Sequence, residues 1–338
     1  MEGPDKKSPL VSVIIPLYNK EPYVERALRS VLMQSIQTFE IIVVEGGSTD
    51  NSLEKVQRFD DPRITVVQQR EKGVSAARNE GVQAARSEFL AFLDADDEWI
   101  PGFIETMIRL QDNYPHAGAY FTAVKEHGLH NEEKNHRYSF VPSEGWEGLV
   151  DNYFQALIQG DPLYYPSSLA LHKRVFLEHG GFPVGAAWGE DQDLCGRIAL
   201  RNPVAFSSHI CSIIHKTDEY AVSMRKRIAL TEEHPFIRTA RRAFENGDVP
   251  DHLVRDLKRW TEYLVIFSVK YNLNAGNPAA ARNVLKRNPI EGFFAKKLWL
   301  EFWSFMPVWT FHIRGYSLFG LCDSCILFIK RSIQSVVT

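Results

Sequence analysis

Short apolar runs alternate with amphipathic stretches along the first 124 residues of the chain. The runs are rich in Val, Ile and Phe and have the length of strands, whereas the stretches between them have helical spacing. The predicted strands span residues 11–17, 39–44, 63–67, 88–93 and 117–124, and the predicted helices begin near Pro22, Asp50, Val74 and Pro101. This alternation predicts an α/β fold with a doubly wound, mostly parallel sheet that carries helices on both faces.

Polar, turn-forming segments directly follow three of the predicted strands. They are PLYN at 16–19, EGGSTD at 45–50 and DADD at 94–97. In doubly wound sheets ligands bind beyond the carboxyl ends of the strands, so we expect the ligand site among these segments. Three carboxylates on one short turn repel each other unless a cation binds there, and oxygen ligands suit Mg²⁺ or Mn²⁺. The alternative is a solvated acidic turn in which Asp96 or Asp97 caps the helix near Pro101.

The pattern changes after residue 124. Residues 125–163 are irregular and indicate loops or an insertion on the acceptor side, and a second α/β stretch ends near His215. Apolar residues then recur at helical spacing over 253–271, and Gly276 separates this segment from a shorter helix near 279–285. We therefore expect a helical hairpin in the C-terminal part of the chain.

Aromatic and aliphatic residues dominate the segment 298–329. A transmembrane helix needs about 20 consecutive apolar residues, and Glu301, Arg314 and Asp323 interrupt this segment. Two alternatives stay open: a helix buried against the catalytic domain, and an interfacial helix that lies on the bilayer. The Trp residues and the flanking basic residues suit the second alternative. These basic residues are Lys296, Lys297, Lys330 and Arg331.

The overall composition is that of an ordinary globular protein. Apolar residues make up 44% of the chain, charged residues make up 24%, and the formal net charge of -3 gives no reason to expect a nucleic acid partner. The first ten residues are polar and leave no room for a signal peptide, so we expect a cytoplasmic protein. Four scattered cysteines fit a reducing compartment, and Cys322 and Cys325 lack the second Cys or His pair of a zinc site. We expect buried structural thiols.

Five motifs occur in a fixed order along residues 11–193. Four of them are VSVIIPLYN at 11–19, EGGSTD at 45–50, GVSAARN at 73–79 and FLDADD at 92–97, and the fifth is WGEDQD at 188–193. Together they closely resemble the family 2 glycosyltransferases of GT-A fold, over about residues 10–220. The resemblance implies an inverting transferase that uses a nucleotide diphosphate sugar as donor and Mn²⁺ or Mg²⁺ as cofactor.

The resemblance assigns roles to the acidic turn after the fourth predicted strand. Asp94 and Asp96 match the family's Asp-x-Asp motif, which implies that Asp94 faces the ribose or the sugar and that Asp96 holds the metal that bridges the two phosphates. Asp97 is expected to assist as a metal ligand. His215 falls where some relatives place a residue that touches the diphosphate or the metal, although a lone His after a strand is often incidental.

A second group of residues matches the family's nucleotide pocket. Pro16, Tyr18 and Glu45 fall where the family lines the nucleobase pocket, and Arg78 falls where it places a basic side chain near the base or the phosphates. Other interpretations stay open, with Tyr18 at the edge of the core and Arg78 in an ion pair on a helix surface. One departure concerns Gly46, because the family commonly has two consecutive Asp residues at 45 and 46. This change leaves the identity of the base open.

The motif WGEDQD opens a helix that carries the predicted catalytic base. The resemblance implies that Asp191 removes the proton from the acceptor hydroxyl, with Glu190 beside it on the acceptor side. Trp188 is expected either to stack on an acceptor sugar or to lie in the core. Both acids also suit a helix N-terminus. Asp193 is better explained by an ion pair with Arg197, four residues later.

We expect two parts: a catalytic domain over residues 1–225, with a donor half at about 10–124 and an acceptor half at about 125–225, and a helical region over 226–338. The predicted function is glycosyl transfer to a saccharide or glycolipid acceptor in polysaccharide or cell-envelope synthesis. Peripheral contact of the aromatic C-terminal region with the cytoplasmic face of the membrane is an open alternative. A sugar nucleotidyltransferase is the alternative enzyme, although such enzymes usually have a Gly-rich basic loop after the first strand. A nucleotide-sugar-binding protein without turnover is the third hypothesis.

Overall fold

Strands and helices alternate along the chain in the computed structural model, which describes residues 8–128, 132–186, 188–216 and 233–290. The strands are β1 Val11–Leu17, β2 Phe39–Glu45, β3 Ile64–Gln68, β4 Phe89–Phe92, β5 Glu98–Trp99, β6 Ala119–His127, β7 Glu133–Asn135, β8 Glu147–Val150, β9 Leu169–His172 and β10 Val204–His215. The helices up to β10 are α1 Val24–Leu32, α2 Ser52–Gln57, α3 Val74–Ala84, α4 Phe103–Asn113, α5 Tyr153–Gln159, α6 Lys173–Glu178 and α7 Glu190–Ala199, and a 3₁₀ helix spans Pro166–Ser168. The five predicted strands and four predicted helices are present, with ends shifted by at most a few residues.

Within the described residues all ten strands join one mixed sheet. Their order is β3-β2-β1-β4-β9-β6-β10-β5, with β7 beside β6 and β8 beside β10. The first four strands pair in parallel, as do β6 and β10. Strand β9 lies antiparallel between β4 and β6 and so joins the two parallel parts. The predicted α/β class is confirmed, whereas β5, β7, β8 and β9 escaped prediction because each has only two to four residues.

The carboxyl ends of β1, β2 and β3 lie level with one another. Leu17, the last residue of β1, is opposite Glu45, the last residue of β2, and Glu45 is opposite Gln68 in β3. On the other side of β1, Ile14 lies opposite Phe92, the last residue of β4. The polar segments that follow these strands therefore reach one edge of the sheet, as the sequence predicts.

Successive residues of β1 face opposite sides of the sheet. Val13 and Ile15 belong to the apolar cluster that also contains buried residues of α1 and α4. Ile14 faces α3, where a Cβ on Gly81 would lie 2.5 Å from Ile14 Cγ2. Gly81 thus allows α3 to approach the sheet closely, and helices cover both of its faces. Burial of an aliphatic side chain at such a position stabilises the fold by about 1.5–3 kcal/mol.

The chain divides into two compact units. The first comprises Met1–Asp151, Asp161–Gly185 and Glu190–Thr217, and the second comprises Asn152–Gly160, Ala186–Gly189 and Asp218–Thr338. The sheet belongs to the first unit, as do Cys195 and Cys211, which are buried free thiols. The predicted domain boundary near residue 225 and the aromatic segment 298–329, with Cys322 and Cys325, lie outside the described residues.

Helices form the described part of the second unit. Besides α5 they span Pro235–Asn246, Asp251–Asn274 and Pro278–Arg287. The last two pack against each other, and Gly276 between them adopts a left-handed φ of 73° that ends the long helix. This confirms the predicted helical hairpin. Among the described residues, no helix combines the length and the apolar character that crossing a bilayer requires.

Candidate active site

The acidic turn 94–97 connects β4 to β5. The Asp97 N–H donates to the Asp94 carbonyl oxygen at 3.0 Å and closes the turn. Ser167 Oγ accepts a hydrogen bond from the Asp94 N–H at 3.1 Å and donates one to Asp97 Oδ2 at 2.5 Å. The His215 N–H donates to Asp97 Oδ1 at 2.9 Å. Burial, together with the charges of Asp96 and Asp94, raises the pKa of Asp97 well above its ordinary value. Asp97 therefore fixes the turn to β10 through Oδ1 and to the 3₁₀ helix through Oδ2.

Arg78 of α3 binds two acids from distant parts of the chain. Its Nη2 donates to Asp94 Oδ1 at 2.7 Å and its Nη1 donates to Glu190 Oε1 at 2.9 Å. The guanidinium carbon lies 5.1 Å from the centroid of the Phe182 ring. Burial lowers the pKa of Arg78, but the carboxylates of Asp94 and Glu190 outweigh it and raise that pKa above its ordinary value. The side chain thus stays charged and joins α3, the acidic turn and the first turn of α7.

A lysine ammonium lies against Asp96. Lys20 Nζ is 2.5 Å from Asp96 Oδ2, and Arg26 Nη2 donates to the Asp96 carbonyl oxygen. Carboxylate oxygens are the ligands that Mg²⁺ and Mn²⁺ accept, and the Lys20 contact indicates that this position suits a positive charge. Asp96 therefore fits a divalent cation. Within the described ranges, no three His, Cys, Asp or Glu side chains are grouped so as to hold a metal ion.

The loop after β2 is fastened to the segment after β1. The Gly47 N–H donates to Glu45 Oε2 at 3.0 Å and the Ser48 N–H donates to Glu45 Oε1 at 2.6 Å, so this buried acid shapes its own loop. Asn19 Oδ1 accepts a hydrogen bond from the Thr49 N–H at 2.8 Å. Tyr18 is 58% exposed at this edge of the sheet.

A side chain at Gly46 would crowd two neighbouring groups. A Cβ there would lie 2.6 Å from Gln69 Oε1 and 3.2 Å from the Leu17 carbonyl oxygen. The Gly46 N–H donates to the same carbonyl at 2.8 Å, which keeps the loop close to β1. The departure from the family's second Asp therefore has a steric reason in this chain.

Asp191 lies in the first turn of α7, directly after Glu190, which binds Arg78. Its Oδ1 accepts a hydrogen bond from the Gln192 N–H at 2.8 Å. Burial and the neighbouring charge of Glu190 raise the pKa of Asp191 to about 8, although Arg78 opposes this shift. Asp193 pairs with Arg197 at 2.9 Å, as predicted. Glu190 is bound to Arg78, and Asp191 is the neighbouring acid with the strongly raised pKa.

His215 reaches the acidic turn through its main chain. While its N–H binds Asp97, its Nε2 lies 2.8 Å from Glu98 Oε1 and its Nδ1 lies 3.3 Å from His127 Nδ1. Burial lowers the pKa of His215 even though Glu98 opposes this effect. The imidazole thus contacts Glu98 and His127, whereas only the main chain contacts the turn.

Three residues of the site were not singled out in the sequence: Lys20, Asn79 and Ser167. Asn79 Nδ2 donates to the Phe182 carbonyl oxygen at 2.8 Å and its Oδ1 accepts from the Phe182 N–H at 2.9 Å, which ties α3 to this loop. Asn79 closes the motif 73–79 and Lys20 directly follows the motif 11–19, so both had a local signal. Ser167 lies 70 residues from Asp97, and no local pattern marks it.

Trp188 belongs to the second unit and is packed among aromatic rings. It is 4% exposed, and its ring centroid lies 4.7 Å from that of His234, 5.3 Å from that of Phe267 and 6.1 Å from that of Tyr271. Of the two expectations for this residue, the environment is that of a core side chain. Its predicted contact with an acceptor sugar stays a prediction.

Comparison with known protein families gives a match over the part of the chain that contains the acidic turn. The family described as Glycosyl transferase family 2 matches residues 12–179, about half of the chain. The match includes Arg78, the acidic turn and Ser167, and it ends before Asp191.

Two curated relatives are named as glycosyltransferases. The glycosyltransferase GlyA of Streptococcus pneumoniae is 35% identical over 186 residues, which cover 53% of this chain and 24% of that protein. An Escherichia coli protein, the UDP-Glc:alpha-D-GlcNAc-diphosphoundecaprenol beta-1,3-glucosyltransferase WfgD, is 39% identical over 102 residues, which cover 30% of this chain and 40% of that protein. The matched segments thus span less than half the length of these relatives.

A solved structure shares the fold over nearly the whole chain. The mannosyltransferase PcManGT from Pyrobaculum calidifontis, in complex with GDP-Man and Mn²⁺, has a TM-score of 0.55 and 18% identity, and the alignment covers 99% of this chain and 89% of that one. At this identity the likeness shows the fold alone, which is the GT-A fold. Since the family match, the ordered motifs and the fold agree, the chain belongs to glycosyl transferase family 2.

Proposed function

We propose that the chain transfers a glycosyl residue from a nucleotide diphosphate sugar to an acceptor hydroxyl with inversion. The observation that carries this proposal is the buried Arg78, which binds Asp94 in the acidic turn and Glu190 beside Asp191. One side chain thus fixes the proposed donor-binding acid relative to the proposed base. Family membership and the names of GlyA and WfgD support the reaction class.

The donor is proposed to lie along the carboxyl edge of β1, β2 and β4. The exposed ring of Tyr18 offers a face on which a base can stack, and Pro16 lies two residues earlier, in β1. Glu45 shapes the neighbouring loop through its hydrogen bonds to main-chain N–H groups. WfgD is named for UDP-Glc and PcManGT was solved with GDP-Man, so donors with either base are candidates.

Asp96 is the residue we propose to hold Mn²⁺ or Mg²⁺. A divalent ion bound there would offset negative charge on the departing nucleoside diphosphate. Asp97 and His215 are proposed to support Asp96 by fixing the turn, because the oxygens of Asp97 already accept hydrogen bonds from Ser167 and from the His215 main chain. The Mn²⁺ complex of PcManGT supports the choice of ion.

Asp191 is the proposed general base. As the acceptor proton moves to the Asp191 carboxylate, the hydroxyl oxygen bonds to the anomeric carbon, and the bond from that carbon to the diphosphate oxygen breaks. Attack on the face opposite the leaving group inverts the anomeric centre. A pKa raised to about 8 makes Asp191 a stronger base than an ordinary aspartate and matches proton transfer near neutral pH.

The acceptor is proposed to be a saccharide, either free or linked to a lipid. The support is the name of WfgD, which includes a GlcNAc-diphosphoundecaprenol acceptor. Such a reaction belongs to polysaccharide or cell-envelope synthesis.

Product analysis with two matched variants tests the proposal. The protein is incubated with UDP- and GDP-sugars, Mn²⁺ and a panel of saccharide acceptors, and released nucleoside diphosphate and glycosylated product are both measured. Asp96→Ala should abolish metal-dependent donor binding, whereas Asp191→Asn should keep donor binding and stop transfer. Asp112→Asn, an exposed change on α4, is the control and should retain both activities.

Three results would contradict the proposal in different ways. Equal loss of donor binding in Asp96→Ala and Asp191→Asn would remove the distinction between metal site and base. Release of pyrophosphate instead of nucleoside diphosphate would indicate a nucleotidyltransferase. Donor binding without turnover across the whole panel would indicate a binding protein.

A further inference from the structure

Lys20 places a positive charge on the acid that the proposed function assigns to the metal. Its Nζ lies 2.5 Å from Asp96 Oδ2, and only 25% of the Lys20 side chain and 13% of the Asp96 side chain are exposed. Hydrogen bonds to charged groups in partly buried places are stronger than ion pairs in open water. The contact is therefore a substantial interaction that a metal ion must replace.

Three cationic side chains lie against the acidic turn, and one of them, Arg78, is shared with Glu190. Arg78 pairs with Asp94 at 2.7 Å, and Lys20 pairs with Asp96. Asp97 is buried and held by two hydrogen-bond donors. The Arg26 guanidinium adds a further positive charge at the Asp96 carbonyl. A divalent cation that arrives alone must therefore displace Lys20 from Asp96 Oδ2, and the neighbouring cations repel it at short range.

The Lys20 side chain can leave Asp96 without moving its main chain. The Lys20 N–H donates to Ser52 Oγ at 2.7 Å, and the next residue, Glu21, donates its N–H to Asp50 Oδ2 at 3.0 Å. These bonds anchor the backbone, while the four-carbon stem of a lysine stays rotatable. The Tyr23 ring centroid lies 5.9 Å from Nζ, so the ammonium has a cation–π contact besides its contact with Asp96.

We propose that Lys20 is a resident counter-ion that keeps Asp96 closed to a metal ion alone and moves onto the donor diphosphate when metal and donor bind together. The inference rests on the proposed function, because it needs Asp96 as metal ligand. A diphosphate supplies the negative charge that the released ammonium requires. The consequence is positive coupling, in which the nucleoside diphosphate raises the affinity of the protein for the metal and the metal raises its affinity for the nucleoside diphosphate.

Metal binding without nucleotide is the direct test. The amount of free Mn²⁺ is measured by electron paramagnetic resonance during titration of wild type, Lys20→Met and Lys20→Arg. Lys20→Met should bind Mn²⁺ alone about tenfold more tightly than wild type, because the lysine ammonium no longer competes with the ion for Asp96. Lys20→Arg keeps the charge and should stay near wild type. In a second titration at saturating Mn²⁺, Lys20→Met should bind UDP or GDP about tenfold more weakly than wild type.

Lys125→Met is the matched control for loss of a lysine. Lys125 pairs with Glu133 at 2.8 Å and is 27% exposed, close to the value for Lys20, but it lies on β6. Its Mn²⁺ affinity should equal that of wild type. Thermal melting of each variant verifies that the fold is retained.

The outcomes separate this inference from the proposed function. Two results would overturn the inference. In one, Lys20→Met melts like wild type and binds Mn²⁺ alone no more tightly than wild type; in the other, Lys20→Arg gains as much affinity for Mn²⁺ as Lys20→Met. In either case the roles proposed for Asp96 and Asp191 in transfer stand. If the double variant Lys20→Met/Asp96→Asn binds Mn²⁺ as tightly as Lys20→Met, the ion does not bind at Asp96. That result overturns the metal assignment of the proposed function and this inference with it.

Discussion

Arg78 is a buried charge with two acidic partners, and this arrangement fixes the site more than it stabilises the protein. An arginine in place of an apolar side chain costs desolvation free energy, which the pairs with Asp94 and Glu190 offset. The planar guanidinium binds the two acids from fixed directions. The gain is therefore geometric, since it sets the separation between the acidic turn and α7.

Substitution of Arg78 should destabilise the fold strongly. In Arg78→Met, Asp94 and Glu190 lose their shared counter-ion, and we expect a loss of about 3 kcal/mol in the free energy of unfolding. Urea unfolding monitored by circular dichroism measures it. Arg70→Met is the control, because Arg70 is 75% exposed in its pair with Glu80 and should cost below about 1 kcal/mol. Equal losses in the two variants would mean that Arg78 is an ordinary surface charge.

The raised pKa of Asp191 predicts an alkaline rise in activity. A general base acts in its deprotonated form, so kcat/KM should rise with pH and level off above about 8, the pKa to which burial and Glu190 raise this group. Initial rates at low donor concentration, measured from about pH 5.5 to 9.5 in buffers of constant ionic strength, test this prediction. This range brackets the pKa of the group in the free enzyme. A profile already flat at pH 6 would assign the base to a group with an ordinary pKa.

The same shift predicts how Asp191 affects stability. Because its pKa is higher in the folded protein than in the unfolded chain, its contribution to stability is fully present below the ordinary aspartate pKa and is lost as pH rises through about 8. The asparagine of Asp191→Asn carries no charge. At about pH 9, one unit above that pKa, this variant should therefore have a higher melting temperature than wild type, and the difference should be smaller at acidic pH. A melting temperature lower than that of wild type at alkaline pH would contradict the shift.

At the scale of elements, the loop after β2 depends on a glycine that allows close contact with two neighbours. In Gly46→Ala the new Cβ meets Gln69 Oε1 and the Leu17 carbonyl oxygen, and the fold should lose about 1–2 kcal/mol in the free energy of unfolding. Part of this loss should be recovered in the double variant Gly46→Ala/Gln69→Ala, because the nearest obstacle is then absent.

Gly128→Ala provides the control for this change. A Cβ at Gly128 would have its nearest contact at 3.4 Å, an ordinary van der Waals distance, and no left-handed φ applies there. Urea unfolding of the three variants and the wild type gives the comparison. If the added Gln69→Ala change recovers none of the stability that Gly46→Ala loses, the strain lies at the Leu17 main chain alone.

At the scale of the whole molecule, donor and metal should stabilise the fold together. A ligand present at 100 times its Kd adds about 2.7 kcal/mol to the free energy of unfolding. We therefore expect a rise in melting temperature of roughly 5 °C or more with the correct nucleoside diphosphate and Mn²⁺. A thermal-shift screen of UDP, GDP and their sugars, with and without Mn²⁺, makes the measurement and identifies the base. A rise that is the same without Mn²⁺ would argue against metal-assisted binding.

Many strands and helices could be predicted from the local pattern of apolar residues, but some strands could not. Continuous apolar runs located β1 and β2, because both faces of these strands are buried. Strand β9 has four residues and follows a 3₁₀ turn, so no periodicity marks it. Yet β9 makes the sheet mixed, since it lies antiparallel between β4 and β6.

The sequence by itself determined the alternation of strands and helices and the polar turns at the strand ends, because both depend on residues close together in the chain. The tertiary structure alone decided which side chains of these turns meet. Arg78 finds Glu190 across 112 residues, and Lys20 finds Asp96 across 76. Such contacts depend on strand order and on the packing of α3 and α7, which no short segment specifies. The acids and Arg78 were therefore marked by the sequence, whereas their pairing and the contact of Lys20 with Asp96 emerged only from the fold.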